Sequence, residues 1–450
     1  MTDIVIRFDT EDYVNEVAAE GILRSAKLLE SFGVRGSFVT VGMLAEALEK
    51  WGRQDVLDAL KYHEIGNHSY AHSMHPTINE YTDTEDFDKA MEKFLANEKK
   101  TDEILSRLTG KTNFPIAAPP GDSTSYVAHY GYSDMGYVAY SGDLVMDEKN
   151  PRPVHACNLA CFKDGVGIYP TFEYFTREEI KEKIDSIASK GGVCIFYHHP
   201  QRGFVDEFTD ELNFKNGENT PPDKYVPSTH KTKERTEKFY DDFKFLMELL
   251  TSNPNINIIT HKEAAEKYFG GNRTITVDML PDLKNQLDEY FFPVTTPDSY
   301  CIADILLACK AFLLGEKEYK CGKVYGFLSK PYAIESPVTV TKDEMIKSIP
   351  QFGNRFLPEK ITVGDNVIGP ADWLRAAMEI IVSGKDEVTV KPGDWQIDMD
   401  QFPYLRDLKH NRETWPINGE NYDDTYISER MRLQSWTFRF PKGTSRKVFE

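Results

Sequence analysis

Short apolar segments alternate with longer amphipathic ones over roughly the first 265 residues, and this alternation limits the folds that the chain can adopt. The apolar segments have the length and composition of buried strands, as in DIVIRF, RGSFVTVG and VCIFY. The segments between them repeat apolar residues at helical spacing, as in TREEIKEKIDSIASKGG. Strands that are separated by helices form parallel sheets or barrels. The sequence therefore predicts an α/β fold of this kind.

Polar residues follow two of these strands directly. Asp9, Glu11 and Asp12 come after the first strand, and His198 and His199 come after VCIFY. In parallel α/β folds the functional groups gather at the carboxyl ends of the strands. We therefore expect both groups of side chains at one rim of the sheet.

A metal site would explain the two carboxylates at the end of the first strand. The strand period of two places Asp9 and Glu11 on one face, together with Arg7. Adjacent carboxylates are costly unless a positive charge or a shared proton lies between them. In HEIGNHSYAH, His68 and His72 are four residues apart and would share one face of a helical turn. With Glu11 they form a set that binds a divalent metal ion and leaves one coordination position open.

Hydrolysis at such a site needs a general base and a general acid. Asp9 lies beside the predicted ligands and could take a proton from water. His198 or His199 could protonate a leaving amine, because imidazole titrates near neutral pH. The residues by themselves leave open which of the two histidines does so.

These motifs resemble those of the polysaccharide deacetylases with a NodB homology domain, carbohydrate esterase family 4. RFDTEDY is similar to the first motif of that family, and HEIGNHSYAH is similar to its metal-binding motif. APPG stands at the place of the third motif, and IFYHHP resembles the strand that ends in the catalytic histidine. The resemblance covers about residues 1 to 268. It implies a distorted (β/α) barrel with one divalent metal ion: zinc, or else cobalt or nickel.

The resemblance also implies roles for individual residues. Asp9 would be the base and His199 the acid, with Asp12 as an alternative ligand to Glu11 and His198 as an alternative acid. The implied metal ligands are Glu11, His68 and His72, and the implied substrate-binding residues are Pro119, Gly121 and His198.

The third motif departs from the family pattern at two positions. Ala117 stands where the family has an arginine that tethers the catalytic aspartate. Pro120 has no N–H to stabilise an oxyanion, so the N–H of Gly121 or the metal ion would have to do so. Losing one such donor costs about a hundredfold or more in rate. Weak or redirected activity is therefore one expectation.

A second domain is predicted after a break at FGGNRT near residue 270. We expect a catalytic domain at residues 1–269 and a smaller, mostly helical α+β domain at 270–450. IADILLACKAFLLG (302–315) and PADWLRAAMEIIVSG (370–384) share the frame Ala-Asp-x-Leu-x-Ala, which suggests a duplicated module. FLPEKITVGDNVIGPADWLRAAMEIIV is similar to pseudomurein-binding-type repeats. That similarity implies an accessory domain that binds a glycan or the cell envelope; a helical module that shields or dimerises the barrel is the alternative.

The long polar segment at residues 200–233 has no clear periodicity and follows His199 directly. Loops of this length in compact domains are usually functional. We predict that it is a lid that faces the substrate.

Composition limits the partners of the chain. The net charge of −19 argues against nucleic acid as a partner, and no apolar run is long enough to span a membrane. The start MTDIVIRFDTEDY has no features of a signal peptide, which predicts a cytoplasmic protein.

Together these features predict a metal-dependent amidohydrolase that removes an N-acetyl or N-formyl group from an amino sugar or glycan. One alternative is a cyclic amide or ureide hydrolase on the same barrel. Another is a degenerate barrel that binds glycans without turning them over.

Overall fold

The structure is a computed structural model that describes residues 1–122, 125–142, 153–353, 355–393, 395–397, 417–423 and 425–446. The strands are β1 (Thr2–Thr10), β2 (Ser37–Thr40), β3 (Glu64–Asn67), β4 (Ile116–Ala117), β5 (Ala139–Ser141), β6 (Val154–Ala156), β7 (Leu159–Phe162), β8 (Asp164–Gly167), β9 (Gly192–His198), β10 (Ile256–Ile258), β11 (Thr274–Thr276), β12 (Glu318–Lys320), β13 (Val338–Thr341), β14 (Ile361–Val363), β15 (Asn366–Ile368) and β16 (Glu387–Val390).

The helices of the described residues are α1 (Val17–Ser31), α2 (Gly42–Lys50), α3 (Gln54–Leu60), α4 (Ile78–Thr82), α5 (Phe87–Thr109), α6 (Tyr126–Met135), α7 (Ile168–Tyr174), α8 (Arg177–Lys190), α9 (Thr209–Asn213), α10 (Lys233–Ser252), α11 (His261–Phe269), α12 (Leu280–Glu289), α13 (Ile302–Leu313), α14 (Lys342–Ser348), α15 (Pro370–Ser383) and α16 (Thr425–Arg432). No helix among the described residues is both long enough and apolar enough to cross a membrane.

The chain divides into two compact units. The first comprises Met1–Val145, Leu159–Lys267 and Leu408–Ile427, and the second comprises Met146–Asn158, Tyr268–Asp407 and Ser428–Glu450. Residues 398–416, which belong to the predicted C-terminal domain, lie outside the described residues. The division into domains at residues 1–269 and 270–450 stays a proposal.

The first unit is built on a parallel sheet with the strand order β7-β5-β4-β3-β2-β1-β9-β8. Strand β10 pairs with the start of β1, while the second half of β1 pairs with β2. Strand β1 thus changes its neighbour along one edge, and the sheet is curled into a half-barrel. The predicted α/β class is confirmed.

The alternation of side chains along β1 separates the core from the functional face. Phe8 stacks on Phe38 with ring centroids 4.4 Å apart, and it also contacts Phe243 of α10. Arg7 and Asp9 point to the opposite face of the strand because its period is two. Both faces of β1 are buried, so Arg7 and Asp9 need partners within the protein.

The second unit contains two copies of one arrangement: strand, helix, a turn back of the chain, helix, and a strand antiparallel to the first. In one copy β11 pairs with β12, and in the other β13 pairs with β16 around the hairpin β14–β15. The shared Ala-Asp frame starts α13 and α15. Asp304 and Asp372 each accept a hydrogen bond from the backbone N–H three residues earlier. The frame therefore encodes the same helix start twice, whereas the similarity to pseudomurein-binding repeats stays a prediction.

A buried carboxyl group lies on α5 behind the sheet. Glu98 is 1% exposed, and the Tyr132 hydroxyl donates a hydrogen bond of 3.1 Å to it. Burial raises the pKa of Glu98 from its ordinary 4.5 to about 8. Between these two values the folded protein holds a proton that the unfolded chain releases, so the free energy of unfolding falls as the pH rises.

We expect this group to contribute a slope of about 1 kcal/mol per pH unit. Glu98→Gln stays neutral, so its thermal unfolding temperature should fall less than that of the wild type between about pH 5 and about pH 8. Glu103→Gln, an exposed position on the same helix, serves as the control and should behave like the wild type. Equal decreases in the wild type and in Glu98→Gln would show that Glu98 is ionised in the folded protein.

Candidate metal centre

Four strands of the sheet end at the same place and carry the candidate site. Glu11 follows β1, His68 follows β3, Ala118 follows β4 and His199 follows β9. Parallel strands bring their carboxyl ends to one edge, so residues that are far apart in sequence meet there.

Glu11, His68 and His72 converge on one point. The Nε2 atoms of His68 and His72 are 3.2 Å apart, and they lie 3.2 and 3.1 Å from Oε2 of Glu11. All three residues are buried. The structure therefore brings together the three predicted ligands, as one compact triangle of donor atoms.

The two histidines do not sit on a helical turn, which differs from the sequence-based expectation. Residues 68–72 form an irregular turn in which Ser69 and His72 have φ values of 66° and 52°. This left-handed backbone conformation is unfavourable for residues other than glycine. Two hydrogen bonds hold it: the Ser69 N–H donates to Asn67 Oδ1, and the His72 N–H donates to Ser69 Oγ.

The hydrogen bonds of the far ring nitrogens fix which nitrogens face the centre of the triangle. Nδ1 of His68 contacts the carbonyl oxygen of Ala118, which can only accept, so this Nδ1 carries the hydrogen. Nδ1 of His72 lies 2.9 Å from a carboxylate oxygen of Asp210 and donates to it. Both Nε2 atoms are consequently the ring nitrogens that face Glu11 Oε2 and that a cation could bind.

Three donor atoms that converge in this way repel one another unless a proton or a metal cation lies between them. A tetrahedral ion with bonds of about 2.0 Å sets its ligands about 3.3 Å apart, close to the separations above. The donor set of two imidazoles and one carboxylate also suits a divalent transition metal. Burial lowers the pKa of His72, but the carboxylates of Asp210 and Glu11 outweigh it and raise the pKa to about 10. The residues therefore fit a divalent ion, whose charge would take the place of that proton.

Asp9 lies beside this triangle and is held on one side only. Its Oδ2 accepts a hydrogen bond of 2.8 Å from Arg7, while its buried Oδ1 has no hydrogen-bond partner among the described residues. Arg7 also pairs with Asp164 at 2.8 Å and donates to Ser141. Although burial opposes it, the charge of Arg7 lowers the pKa of Asp9. Asp9 is therefore an ionised carboxylate with one oxygen available.

Arg7 supplies the positively charged contact to Asp9 that Ala117 cannot make. Ala117 is fully buried on β4 and carries no charge. Arg7 lies on β1, two residues before Asp9, and donates a hydrogen bond to it. The strand period already placed Arg7 and Asp9 on one face, but the sequence did not show that the two side chains form an ion pair.

The two adjacent histidines at the end of β9 point in opposite directions. Nε2 of His199 lies 3.5 Å from Asp9 Oδ2, and its side chain is 25% exposed. His198 is 1% exposed and stacks on Phe239, and neither of its ring nitrogens has a hydrogen-bond partner among the described residues. Burial lowers the pKa of His198 well below its ordinary value, so it is neutral. His199 thus lies beside Asp9, whereas His198 is buried among aromatic side chains; contact of His198 with a substrate stays a prediction.

Asp12 turns away from the triangle. It accepts hydrogen bonds from the backbone N–H groups of Val14 and Asn15 and from the Asn15 side chain. These bonds order the chain that leads into α1. Glu11, and not Asp12, is therefore the carboxylate that meets the histidines.

The turn after β4 holds the other predicted substrate-binding residues. Pro119 is buried, and Gly121 is exposed with a φ of 61°, a left-handed conformation that glycine adopts without strain. The Ala118 carbonyl ties this turn to His68. Contacts of Pro119 and Gly121 with a substrate stay predictions.

When the chain is compared with known proteins, the matches are all solved structures. No protein-family model and no curated protein matches the chain. A Mycobacterium smegmatis protein assigned as a polysaccharide deacetylase is 13% identical, over 59% of this chain and 89% of that chain, with a TM-score of 0.39. The family 4 carbohydrate esterase of Streptomyces lividans is 12% identical over 56% and 89%, with a TM-score of 0.30. The 4-alpha-glucanotransferase of Thermococcus litoralis is 12% identical over 60% and 40%, with a TM-score of 0.42. The family that the sequence motifs resemble is thus among the similar structures.

Proposed function

We propose that the chain is a metal-dependent amidohydrolase that removes an N-acetyl or N-formyl group from an amino sugar or glycan. The observation that carries this proposal is the triangle of Glu11, His68 and His72, with Asp9 and His199 beside it. We propose zinc as the ion, with cobalt or nickel as substitutes, because imidazole and carboxylate ligands suit all three.

Glu11, His68 and His72 would hold the ion, which when bound lowers the pKa of water and polarises an acyl carbonyl. Asp9 accepts the proton of the attacking water at Oδ1, because Arg7 occupies Oδ2. Arg7 keeps this carboxylate oriented and ionised. His199 then donates a proton from Nε2 to the leaving amine, and its partial exposure allows that proton to be replaced from solvent.

The test is a substrate panel with the zinc-loaded or cobalt-loaded protein. N-acetylated and N-formylated amino sugars, chito-oligosaccharides and cyclic imides are compared by release of acetate, formate or ring-opened acid. We expect acetate or formate from at least one N-acylated sugar. Ring opening of imides alone would favour the cyclic amide hydrolase, and tight sugar binding without turnover would favour a glycan-binding protein.

A further inference from the structure

The polar segment at residues 200–233 contacts two of the three candidate ligands from behind. Nε2 of Gln201 donates a hydrogen bond of 2.7 Å to Oε1 of Glu11. Asp210 accepts the hydrogen bond of 2.9 Å from Nδ1 of His72, and Oγ of Ser73 also lies 2.9 Å from this Nδ1. Gln201 is 2% exposed and Asp210 is 8% exposed, so neither contact competes with much water. Each bond uses the ligand atom that faces away from the centre of the triangle.

The same segment is also fastened to the neighbouring parts of the chain. The Asn15 side chain donates to Thr209, and the Ser228 backbone N–H donates back to Asn15. Asn219 exchanges two hydrogen bonds of 2.8 Å with the backbone of His75. The segment is thereby bound to the residues after β1 and after β3, which are the two stretches that carry Glu11 and His72.

We propose that Asp210 and Gln201 are positioning residues for a bound divalent cation, and that cation binding and the ordering of residues 201–228 stabilise each other. The inference rests on the metal site of the proposed function. Asp210 fixes the His72 tautomer whose Nε2 can bind a metal, and Gln201 restrains the free oxygen of Glu11. Because coupling is reciprocal, whatever the segment adds to cation affinity, the cation adds to the stability of the segment.

Cation affinity is the first measurement. The wild type, Asp210→Asn and Glu211→Gln are stripped with a chelator and titrated with zinc in competition with a chromophoric chelator. Glu211 is the matched control, since it is an exposed acid on the same short helix, and its substitution removes the same charge. We expect Asp210→Asn to weaken zinc binding about 10- to 100-fold, and Glu211→Gln to leave it within about twofold.

Protection from trypsin is the second measurement and does not depend on turnover. Lys215 and Lys224 are exposed within the segment and offer cleavage sites. Zinc should slow cleavage at both sites in the wild type and in Glu211→Gln. At a zinc concentration equal to the dissociation constant of the wild type, Asp210→Asn would be less than about 10% occupied and should be cleaved about as fast as the stripped protein.

The outcomes separate this inference from the proposed function. Tight zinc binding by the wild type, with equal affinity in Asp210→Asn, would overturn the positioning role and leave the hydrolase proposal intact. A wild type that binds no zinc would overturn both. If Asp210→Asn fails to fold, Gln201→Leu tests the Glu11 side in the same way: unchanged zinc affinity would overturn the inference, and weakened affinity would support it.

Discussion

Replacing His72 by alanine should lower the hydrolysis of N-acylated substrates about a thousandfold or more. The substitution removes one corner of the donor triangle and leaves Glu11 and His68 as the two remaining ligands. A catalytic metal ion contributes several kcal/mol of transition-state stabilisation, and each 1.36 kcal/mol is a tenfold change in rate. The measurement is initial rate together with metal content. Stripping the wild type with a chelator should have the same effect, and added zinc or cobalt should reverse it.

The matched control is His75→Ala. His75 belongs to the same stretch of chain but pairs with Glu80 at 2.8 Å, outside the triangle. Its variant should retain metal and most of the activity. If hydrolysis survived His72→Ala or complete removal of metal, the metal mechanism would be wrong. Thermal unfolding of the variants shows whether any loss of rate comes from loss of folded protein.

The second large effect is expected at Asp9. Asp9→Asn keeps the shape of the side chain but removes the carboxylate that accepts the proton. General base catalysis contributes roughly 10²- to 10⁴-fold, so kcat should fall by about that factor. KM and zinc affinity should change little, because Asp9 contributes none of the three donor atoms of the triangle. Arg7 still has its ion pair with Asp164 in this variant, which limits the cost in stability.

Activity and zinc affinity together test the role of Asp9. A loss of zinc equal to that in His72→Ala would mean that Asp9 is a ligand and not the base. An unchanged kcat would mean that the proton goes elsewhere, and Glu11 would be the next candidate. A kcat that falls while zinc affinity stays within about threefold supports the assignment.

The fold class could be predicted from local patterns of apolar residues in the sequence. The apolar segments predicted the parallel α/β class correctly, because IVI in β1 and VCIFY in β9 are short apolar runs of the kind that form buried parallel strands. The ends of the individual helices and strands were harder to predict from the sequence. The stretch MLAEALEKWGRQDVLDALKYH has a helical pattern throughout, but in the structure it divides into α2 and α3 at Gly52, whose φ is 70°. FPIAAPPGD also resembles a strand in its sequence, but only Ile116 and Ala117 form β4.

The choice between neighbouring residues depended on which way each side chain faces. Glu11 and Asp12 are both acids that follow β1, and only the hydrogen bonds from Asn15 show that Asp12 serves the chain itself. The sequence alone does not distinguish His198 from His199 as the candidate acid. The register of β9 on β1 aligns His198 with Phe8 and thus with the aromatic core, which leaves His199 on the face of Asp9.

The sequence by itself determined the class of fold and the residue types that would hold a cation, since periodicity and the spacing of acids and imidazoles are local properties. Only the tertiary structure decided how those groups are charged, oriented and supported. Arg7 pairs with Asp164 across 157 residues, and Gln201 reaches Glu11 across 190. No short stretch of sequence records such contacts, because they exist only once the strand ends and the segment at 200–233 have been brought to one edge of the sheet.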